Sequence, residues 1–126
     1  MLSRIPIHRL SHSMKIEYSA SFSQQFYQQF DYWQKQIGAA AAERLLQELI
    51  GRFEQVRQQF PTGCQVCAEA AALGFTDYYE FIAGDRNVRI IYRRTDAVPQ
   101  GAVALLFLRT QQCLRDQLIE LVLMRP

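Results

Sequence analysis

The sequence predicts an α+β fold, in which a small, mostly antiparallel sheet packs on an α-helical hairpin in the order β-α-α-β-β-β-α. Two observations predict it. Two adjacent segments repeat large apolar residues at steps of three and four, which is typical of amphipathic helices. Three later segments carry the alternation or the continuous apolar run of strands, and 126 residues suit one compact domain.

The first elements are a strand and a helix. The segment MKIEYS from Met14 alternates polar and apolar residues, as a half-buried strand does. Ser19 or Ser21 can then cap a helix that Gly38 ends. The apolar stripe of that helix comprises Phe22, Phe26, Phe30, Trp33 and Ile37. We expect this stripe to lie in the core.

A second helix follows at once and stops before Pro61 and Gly63. Its stripe comprises Ala42, Leu45, Leu46, Leu49, Phe53, Val56 and Phe60. Because so short a connection at Gly38 leaves little chain for the turn, the two helices should form an antiparallel hairpin with facing apolar stripes.

The rest of the chain predicts a loop, three strands and a closing helix. Residues 61–77 contain Pro, Thr, Gly and an alanine run, so we expect mostly loop there. The strands are Asp77–Ala83, Val88–Arg94 and the nearly continuous apolar run Ala102–Leu108, which should be central in the sheet. Apolar residues from Thr110 onward, at helical spacing, predict the last helix.

The composition excludes several classes of protein. The chain is 49% hydrophobic and 21% charged, and no apolar run approaches the roughly 20 residues of a membrane-spanning helix. The net charge of +2 comes from Arg4 and Arg9, since 12 basic and 12 acidic residues follow from Met14 onward. We therefore expect neither a membrane protein nor a non-specific binder of polyanions.

The N-terminal segment and the cysteines indicate where the domain begins and in which cellular compartment the protein works. Residues 1–13 carry no packing pattern, so we expect a loosely ordered extension, which an upstream start codon would explain, before a single domain at 14–126. That segment has no sustained apolar stretch of the kind a signal peptide needs, and the cysteine count is odd. Both features favour a reducing cytoplasm.

Several motifs along the chain resemble the RelE/ParE toxin superfamily of type II toxin–antitoxin systems. They are YSASFSQQF, the helix pair, the loop beginning Phe60-Pro61, LGFTDYYEF, NVRIIYR and LLFLRTQQ. Together they span about Met14 to Leu121. In NVRIIYR, Arg89 stands three places before Tyr92, as in a recurring strand of that family.

The resemblance implies a bacterial plasmid-stabilisation toxin that a cognate antitoxin wraps and neutralises in a hetero-oligomer. RelE-like members cut messenger RNA in the ribosome, whereas ParE-like members poison DNA gyrase and need no catalytic centre. We favour the ParE-like alternative. Two others stay open within the fold: a ribosome-dependent mRNA endonuclease, and a non-toxic binding or adaptor domain. A fourth hypothesis is a stand-alone structural domain with no role in a toxin–antitoxin system.

The residues themselves favour a binding protein over an enzyme. RNA cleavage through the 2′-hydroxyl needs a base, a phosphate-holding cation and an acid. The resemblance would supply Arg89, Tyr92 and Arg109 for this site, but no lysine lies in the later strands and no histidine follows His12. Glu80 would also repel phosphate.

Five arginines are candidates for partner binding, because a guanidinium fork suits a carboxylate-rich protein. They are Arg86, Arg89, Arg93, Arg94 and Arg109. Strand alternation places Arg89 and Arg93 on one face of the sheet and Arg94 on the other. The alternative is that they are solvated or paired with Glu80, Asp85 and Asp96.

We expect neither a metal nor a cofactor. The Cys64-x-x-Cys67 motif has a spacing that can bind zinc or form a redox disulfide, but no second paired motif completes four ligands. The serines near residue 20 have no downstream histidine, which excludes a hydrolase triad. The two cysteines are expected to be ordinary loop residues.

Overall fold

A computed structural model describes residues 16–60, 64–94 and 101–109 of the chain. The elements in this part are three helices, five strands and a 3₁₀ turn. In chain order they are β1 (Ile16–Tyr18), α1 (Ala20–Ile37), α2 (Ala39–Gln59), β2 (Gln65–Val66), α3 (Ala68–Ala72), β3 (Tyr78–Ala83), the 3₁₀ turn (Gly84–Arg86), β4 (Val88–Arg94) and β5 (Ala102–Arg109). No helix among these residues is long and apolar enough to cross a membrane.

The strands form one sheet in the order β1-β5-β4-β3-β2. β1 runs parallel to β5, whereas the β5–β4, β4–β3 and β3–β2 pairs are antiparallel. This sheet, mostly antiparallel and joined to a helical hairpin, confirms the predicted α+β class. The central strand is β4, with β5 beside it.

The helical hairpin begins and turns where the sequence predicts. Ser19 is the N-cap of α1, and its hydroxyl accepts a hydrogen bond from the Phe22 N–H at 3.0 Å. Gly38 ends α1 and begins α2 with φ of 90°, a conformation that glycine adopts without steric cost. A single residue therefore reverses the chain between the two helices.

Two buried clusters lie on opposite faces of the sheet. The hairpin-side cluster joins α1 and α2 to the sheet and comprises Ile16, Phe22, Phe26, Leu46, Leu49, Ile50, Phe53, Phe81, Ala83, Val88, Ile90, Tyr92, Ala102, Ala104 and Phe107. The opposite-face cluster comprises Cys67, Ala70, Tyr78, Ile91, Leu106 and Leu108. Alternate residues of β3 and β4 supply the two sets, as the pleat of a strand requires.

A bulge in β5 connects the sheet to the start of α1. Ile91 pairs with Leu106 and Tyr92 pairs with Ala104, so Leu105 is the extra residue. The Ser19 hydroxyl donates to the Leu105 carbonyl oxygen at 2.8 Å, and the Ser19 N–H donates to the Ala104 carbonyl oxygen at 2.9 Å. One serine therefore caps the helix and satisfies the backbone of the bulge.

Two of the sequence expectations are wrong in part. The segment expected to be mostly loop contains β2, which extends the sheet beside β3, and the short helix α3 over the alanine run. Ile37 and Phe60, expected in the core, are exposed at 48% and 58%. Each is the last apolar residue of its stripe and lies at a helix end, beyond the packed length of the hairpin. Residues 1–15, Asp96 and the predicted closing helix lie outside the described residues.

Candidate functional site

Arg89 lies on β4, on the face of the sheet that carries the opposite-face cluster. Its Nη2 atom donates to Glu80 Oε2 at 2.6 Å and to Glu69 Oε1 at 2.9 Å. Glu80 stands on β3, diagonally across from Arg89 and two residues from Ile82, the direct partner of Arg89. Glu69 stands on α3. The Arg89 side chain is only 13% exposed, so both carboxylates hold it in a partly desolvated setting.

The charges of Arg89, Glu80 and Glu69 offset one another within the chain. Glu80 is buried and also accepts a hydrogen bond from the Gln65 amide at 2.9 Å. Burial alone would lower the pKa of Arg89, but the hydrogen bonds that Arg89 donates to the Glu80 and Glu69 carboxylates more than reverse this effect, so the pKa lies above its usual value. Arg89 is a fixed cation whose charge two carboxylates already neutralise.

Tyr92 lies on the hairpin side of β4 and is fully buried. Its ring contacts Phe53 at 5.3 Å between centroids, and the Arg57 guanidinium lies 5.1 Å from the ring centre. The hydroxyl lies beside the Cys64 thiol but meets no hydrogen-bond partner among the described residues. Burial, with the neighbouring thiol, raises the pKa of Tyr92 well above its usual value.

Arg94 faces the hairpin side, opposite to Arg89, as strand alternation predicts. Its guanidinium lies 3.8 Å from the centre of the Tyr79 ring, and its Nη2 atom donates to the Cys64 carbonyl oxygen at 3.5 Å. Arg94 thus ties the start of β2 to β3 and β4 through a cation–π contact.

The remaining two arginines of the β3–β4 hairpin differ in their contacts. Arg86 lies 3.5 Å from a Glu48 oxygen and 3.9 Å from an Asp85 oxygen, while Arg52 of α2 binds Asp85 through two bonds of 3.1 Å. Those hydrogen bonds from Arg52 lower the pKa of the exposed Asp85 carboxyl. Arg93, by contrast, is half-buried and makes no ion pair within the described part of the chain.

Arg109 stands at the end of β5, where it pairs with Val88, the residue before Arg89 on β4. It is exposed, and its guanidinium lies 5.4 Å from the centre of the Tyr32 ring on α1. Beside it is a concavity of about 100 Å³. Its walls are Gln25, Gln28, Gln29, Tyr32, Phe107 and Arg109.

The comparisons with known proteins agree with this architecture. The family model of the ParE toxin of the type II toxin–antitoxin system parDE matches residues 16–112. The chain belongs to the ParE toxin family. A chain from the solved chromosomal ParDE toxin–antitoxin system of P. aeruginosa is similar in fold, with a TM-score of 0.61 and 14% identity over 79% of this chain and 98% of that one. No curated protein matches the sequence.

Within this ParE fold, the three residues named for an RNA-cleaving site do not come together. Arg89 lies on one face of β4, Tyr92 is buried on the other, and Arg109 lies at the end of β5 beside α1. Arg89 does pair with Glu80, one of the two alternatives that the sequence allows. A surface that could hold a phosphate among all three is not formed by these side chains.

The cysteines of the Cys64-x-x-Cys67 motif are separated by the sheet. Cys64 packs against the hairpin-side cluster, whereas Cys67 is buried in the opposite-face cluster as the N-cap of α3. Both are free thiols, and burial raises the pKa of the Cys67 thiol. Among residues 16–60, 64–94 and 101–109, no three His, Cys, Asp or Glu side chains are grouped to hold a metal.

Sequence reasoning missed two buried polar residues on α2. Arg57 is 1% exposed and donates to the Gly101 carbonyl oxygen at 3.3 Å, and Glu54 accepts a hydrogen bond from the Tyr18 hydroxyl at 3.0 Å. The signal for Arg57 was present, because it follows Phe53 by four residues and so shares the buried stripe of the helix. These groups tie α2 to β1 and to the residue that precedes β5.

Proposed function

We propose that this chain is the toxin of a type II toxin–antitoxin module and that it inhibits growth by binding a macromolecular target, DNA gyrase. Membership of the ParE family supports the toxin assignment. The proposal places the protein in the bacterial cytoplasm, in a complex with its cognate antitoxin until the antitoxin is lost.

The observation that most supports a binding mechanism over RNA cleavage is that Arg89 already forms ion pairs with Glu80 and Glu69. A cation that stabilises the phosphate of an RNA transition state must have free N–H groups aimed at it. In this chain Glu80 and Glu69 occupy an Nη atom of Arg89, and a phosphate approaching it would also meet their negative charge. Electrostatic repulsion from two carboxylates opposes RNA at this position.

A proton acceptor for RNA cleavage is also hard to find. Arginine stays protonated at neutral pH because its pKa is above about 12. Tyr92 is fully buried with a raised pKa, so its hydroxyl neither reaches a substrate nor ionises near neutrality. After Lys35 the sequence has neither lysine nor histidine. This supports inhibition by contact over inhibition by cleavage.

The antitoxin is the expected tight partner. The structurally similar P. aeruginosa protein is described as part of a ParDE toxin–antitoxin system. Arg93 is the candidate arginine best placed to meet a carboxylate-rich partner, since Arg89 and Arg86 already contact carboxylates of the chain. We therefore expect a hetero-oligomer in which an antitoxin segment covers part of the toxin surface.

The test is a gyrase assay with purified components. Supercoiled plasmid, gyrase and ATP are incubated with the chain, and linear DNA released by protein denaturation is measured. The proposal expects linear DNA that depends on both gyrase and the chain, and that disappears when the product of the adjacent reading frame is added. If gyrase activity is unchanged at a large excess of folded chain, the gyrase target is wrong. A neighbouring gene product that also fails to bind would favour the adaptor alternative.

A further inference from the structure

The buried hydroxyl of Tyr92 is a hydrogen-bonding group that the fold leaves unused. Tyr92 is 0% exposed, and its hydroxyl has no hydrogen-bond partner within the described part of the chain. A buried hydroxyl without a partner is unfavourable, and folded proteins contain few such groups. Contact with gyrase or with an antitoxin does not use a side chain buried in this way. The groups beside the hydroxyl therefore indicate what it can bind.

The neighbour of this hydroxyl is the Cys64 thiol. After burial, the thiol is the next cause of the raised pKa of Tyr92, so the two groups lie side by side. Cys64 packs against the hairpin-side cluster to which Tyr92 belongs. Its carbonyl oxygen accepts a hydrogen bond from Arg94, two residues after Tyr92 on β4. The sulfur and the unused hydroxyl therefore meet beside the start of β2.

Two guanidinium groups surround this pair. Arg94 lies 3.8 Å from the centre of the Tyr79 ring, and Arg57 lies 5.1 Å from the centre of the Tyr92 ring. The two tyrosine rings stack with their centroids 5.8 Å apart, which brings both cations into one network. The Nε atom of Arg94 is also buried without a hydrogen-bond partner. The surroundings of Cys64 are thus electropositive and contain unused donors, which suit an added oxygen atom.

The two cysteines of the motif differ in their access to reagents from solution. Cys64 is partly exposed, whereas Cys67 is 0% exposed and burial raises the pKa of its thiol. Oxidants attack thiolates that are accessible from solvent, so Cys64 is the more susceptible of the two. The two residues pack in clusters on opposite faces of the sheet, which separates the sulfurs and opposes a disulfide between them.

We propose that Cys64 is a site of reversible oxidation, where a hydroperoxide converts the thiol to a sulfenic acid that the Tyr92 hydroxyl stabilises. The thiolate sulfur attacks one peroxide oxygen, and the S–O bond forms as the O–O bond breaks. Sulfur loses two electrons and the peroxide gains them. With hydrogen peroxide, the second oxygen leaves as hydroxide and takes up the proton that the thiol released, which gives water.

The product supplies what the reduced site lacks. The Tyr92 hydroxyl donates to the new oxygen, so the buried group gains a partner without any change of fold. A hydrogen bond to this oxygen also withdraws electron density from it and slows its reaction with a second peroxide, which would give the irreversible sulfinic acid. This inference does not depend on the proposed toxin function, and it makes the start of β2 a place where peroxide acts on the chain.

The first experiment treats the reduced, full-length chain with hydrogen peroxide and traps sulfenic acid with dimedone. Fragment-ion mass spectrometry then shows which cysteine carries the label. In the folded chain we expect label on Cys64 and none on Cys67. Prior unfolding in guanidinium chloride should remove this difference. The proposal is overturned if Cys67 reacts as fast as Cys64 in the folded chain, if Cys64 carries no label, or if it forms a disulfide with Cys113 in place of the sulfenic acid.

The second experiment tests the role of the Tyr92 hydroxyl. Samples are taken at intervals during peroxide treatment, and the sulfenic and sulfinic forms of Cys64 are measured. Tyr92→Phe should shorten the lifetime of the sulfenic acid about three- to tenfold, the size of one lost hydrogen bond. Tyr79→Phe, which keeps the ring under Arg94, is the matched control and should behave as wild type. Unlabelled Cys67 in both variants shows that they are folded. Equal lifetimes in Tyr92→Phe and wild type would overturn the proposal.

Discussion

The Arg89 guanidinium meets the Glu80 carboxylate at 2.6 Å across the paired strands β4 and β3. Both side chains are largely buried, and Glu69 of α3 completes the contact from above the sheet. This pair fixes the short β2–α3 segment against the sheet and occupies the arginine that an RNA-cleaving relative would use. We expect this pair to have a structural role.

Arg89→Met should lower the free energy of unfolding by about 2–4 kcal/mol, because it leaves the buried Glu80 carboxylate without its cation. The measurement is urea unfolding followed by circular dichroism. Replacing both partners, Arg89→Met with Glu80→Leu, should restore at least half of the loss, since apolar residues of similar size tolerate this environment.

Arg44→Gln is the control for that experiment, because Arg44 is exposed and makes no ion pair within the described residues. Its effect should stay within about 0.5 kcal/mol. A cost of Arg89→Met no larger than this control would show that the ion pair contributes nothing to stability.

Tyr92→Phe should leave stability unchanged or raise it by up to about 1 kcal/mol, because the buried hydroxyl has no hydrogen-bond partner to lose. The pH dependence follows from the raised pKa of Tyr92. A group whose pKa is raised by folding contributes stability that is fully present below its unfolded pKa, which is about 10 for tyrosine. This stability is lost as the pH rises from there towards the folded pKa. Above about pH 10, wild type should lose stability more steeply than Tyr92→Phe.

Tyr32→Phe, at an exposed position, serves as the comparison for Tyr92→Phe. The free energies of unfolding of the two variants and the wild type are compared at neutral and alkaline pH. A loss of more than about 1 kcal/mol in Tyr92→Phe at neutral pH would mean that the hydroxyl has a partner.

Ser19→Ala should lower the free energy of unfolding by about 1–2 kcal/mol, because it removes both the N-cap of α1 and the donor to the Leu105 carbonyl oxygen. Ser23→Ala, inside the same helix, should change stability by less than about 0.5 kcal/mol. Equal effects of the two substitutions in thermal and urea unfolding would refute the dual role of Ser19.

Deleting residues 1–13 should leave the melting temperature nearly unchanged, because every periodic packing signal lies after Met14. Differential scanning calorimetry of the full and shortened chains makes the comparison. A fall of several degrees would show that the first residues belong to the folded domain.

Elements with a clear period or a capping residue could be predicted from the sequence. Ser19 and Gly38 bound α1 as predicted, and β4 occupies the predicted span. β2 has two residues, too few to show alternation, and α3 is a single short turn of alanines that carries no amphipathic pattern. β2 depends on its pairing with β3, and α3 is held by the burial of Ala70 in the opposite-face cluster, and local sequence encodes neither.

The candidate site was predictable only as a set of residue types. The arginines stand out in the sequence, but whether each one faces a partner or a carboxylate of its own chain depends on strand register. Glu80 reaches Arg89 because Ile82 pairs with Arg89 across β3 and β4.

The most direct test of a binding mechanism is whether the purified chain cuts messenger RNA in a translating ribosome. Message ends are mapped by primer extension, with gyrase-dependent DNA breaks measured in the same protein preparation. We predict no codon-phased cleavage of the message, together with breaks that require gyrase. Codon-phased cleavage by wild type that Arg89→Ala or Arg109→Ala abolishes, in variants shown to be folded, would contradict the account and make the chain a ribosome-dependent endonuclease.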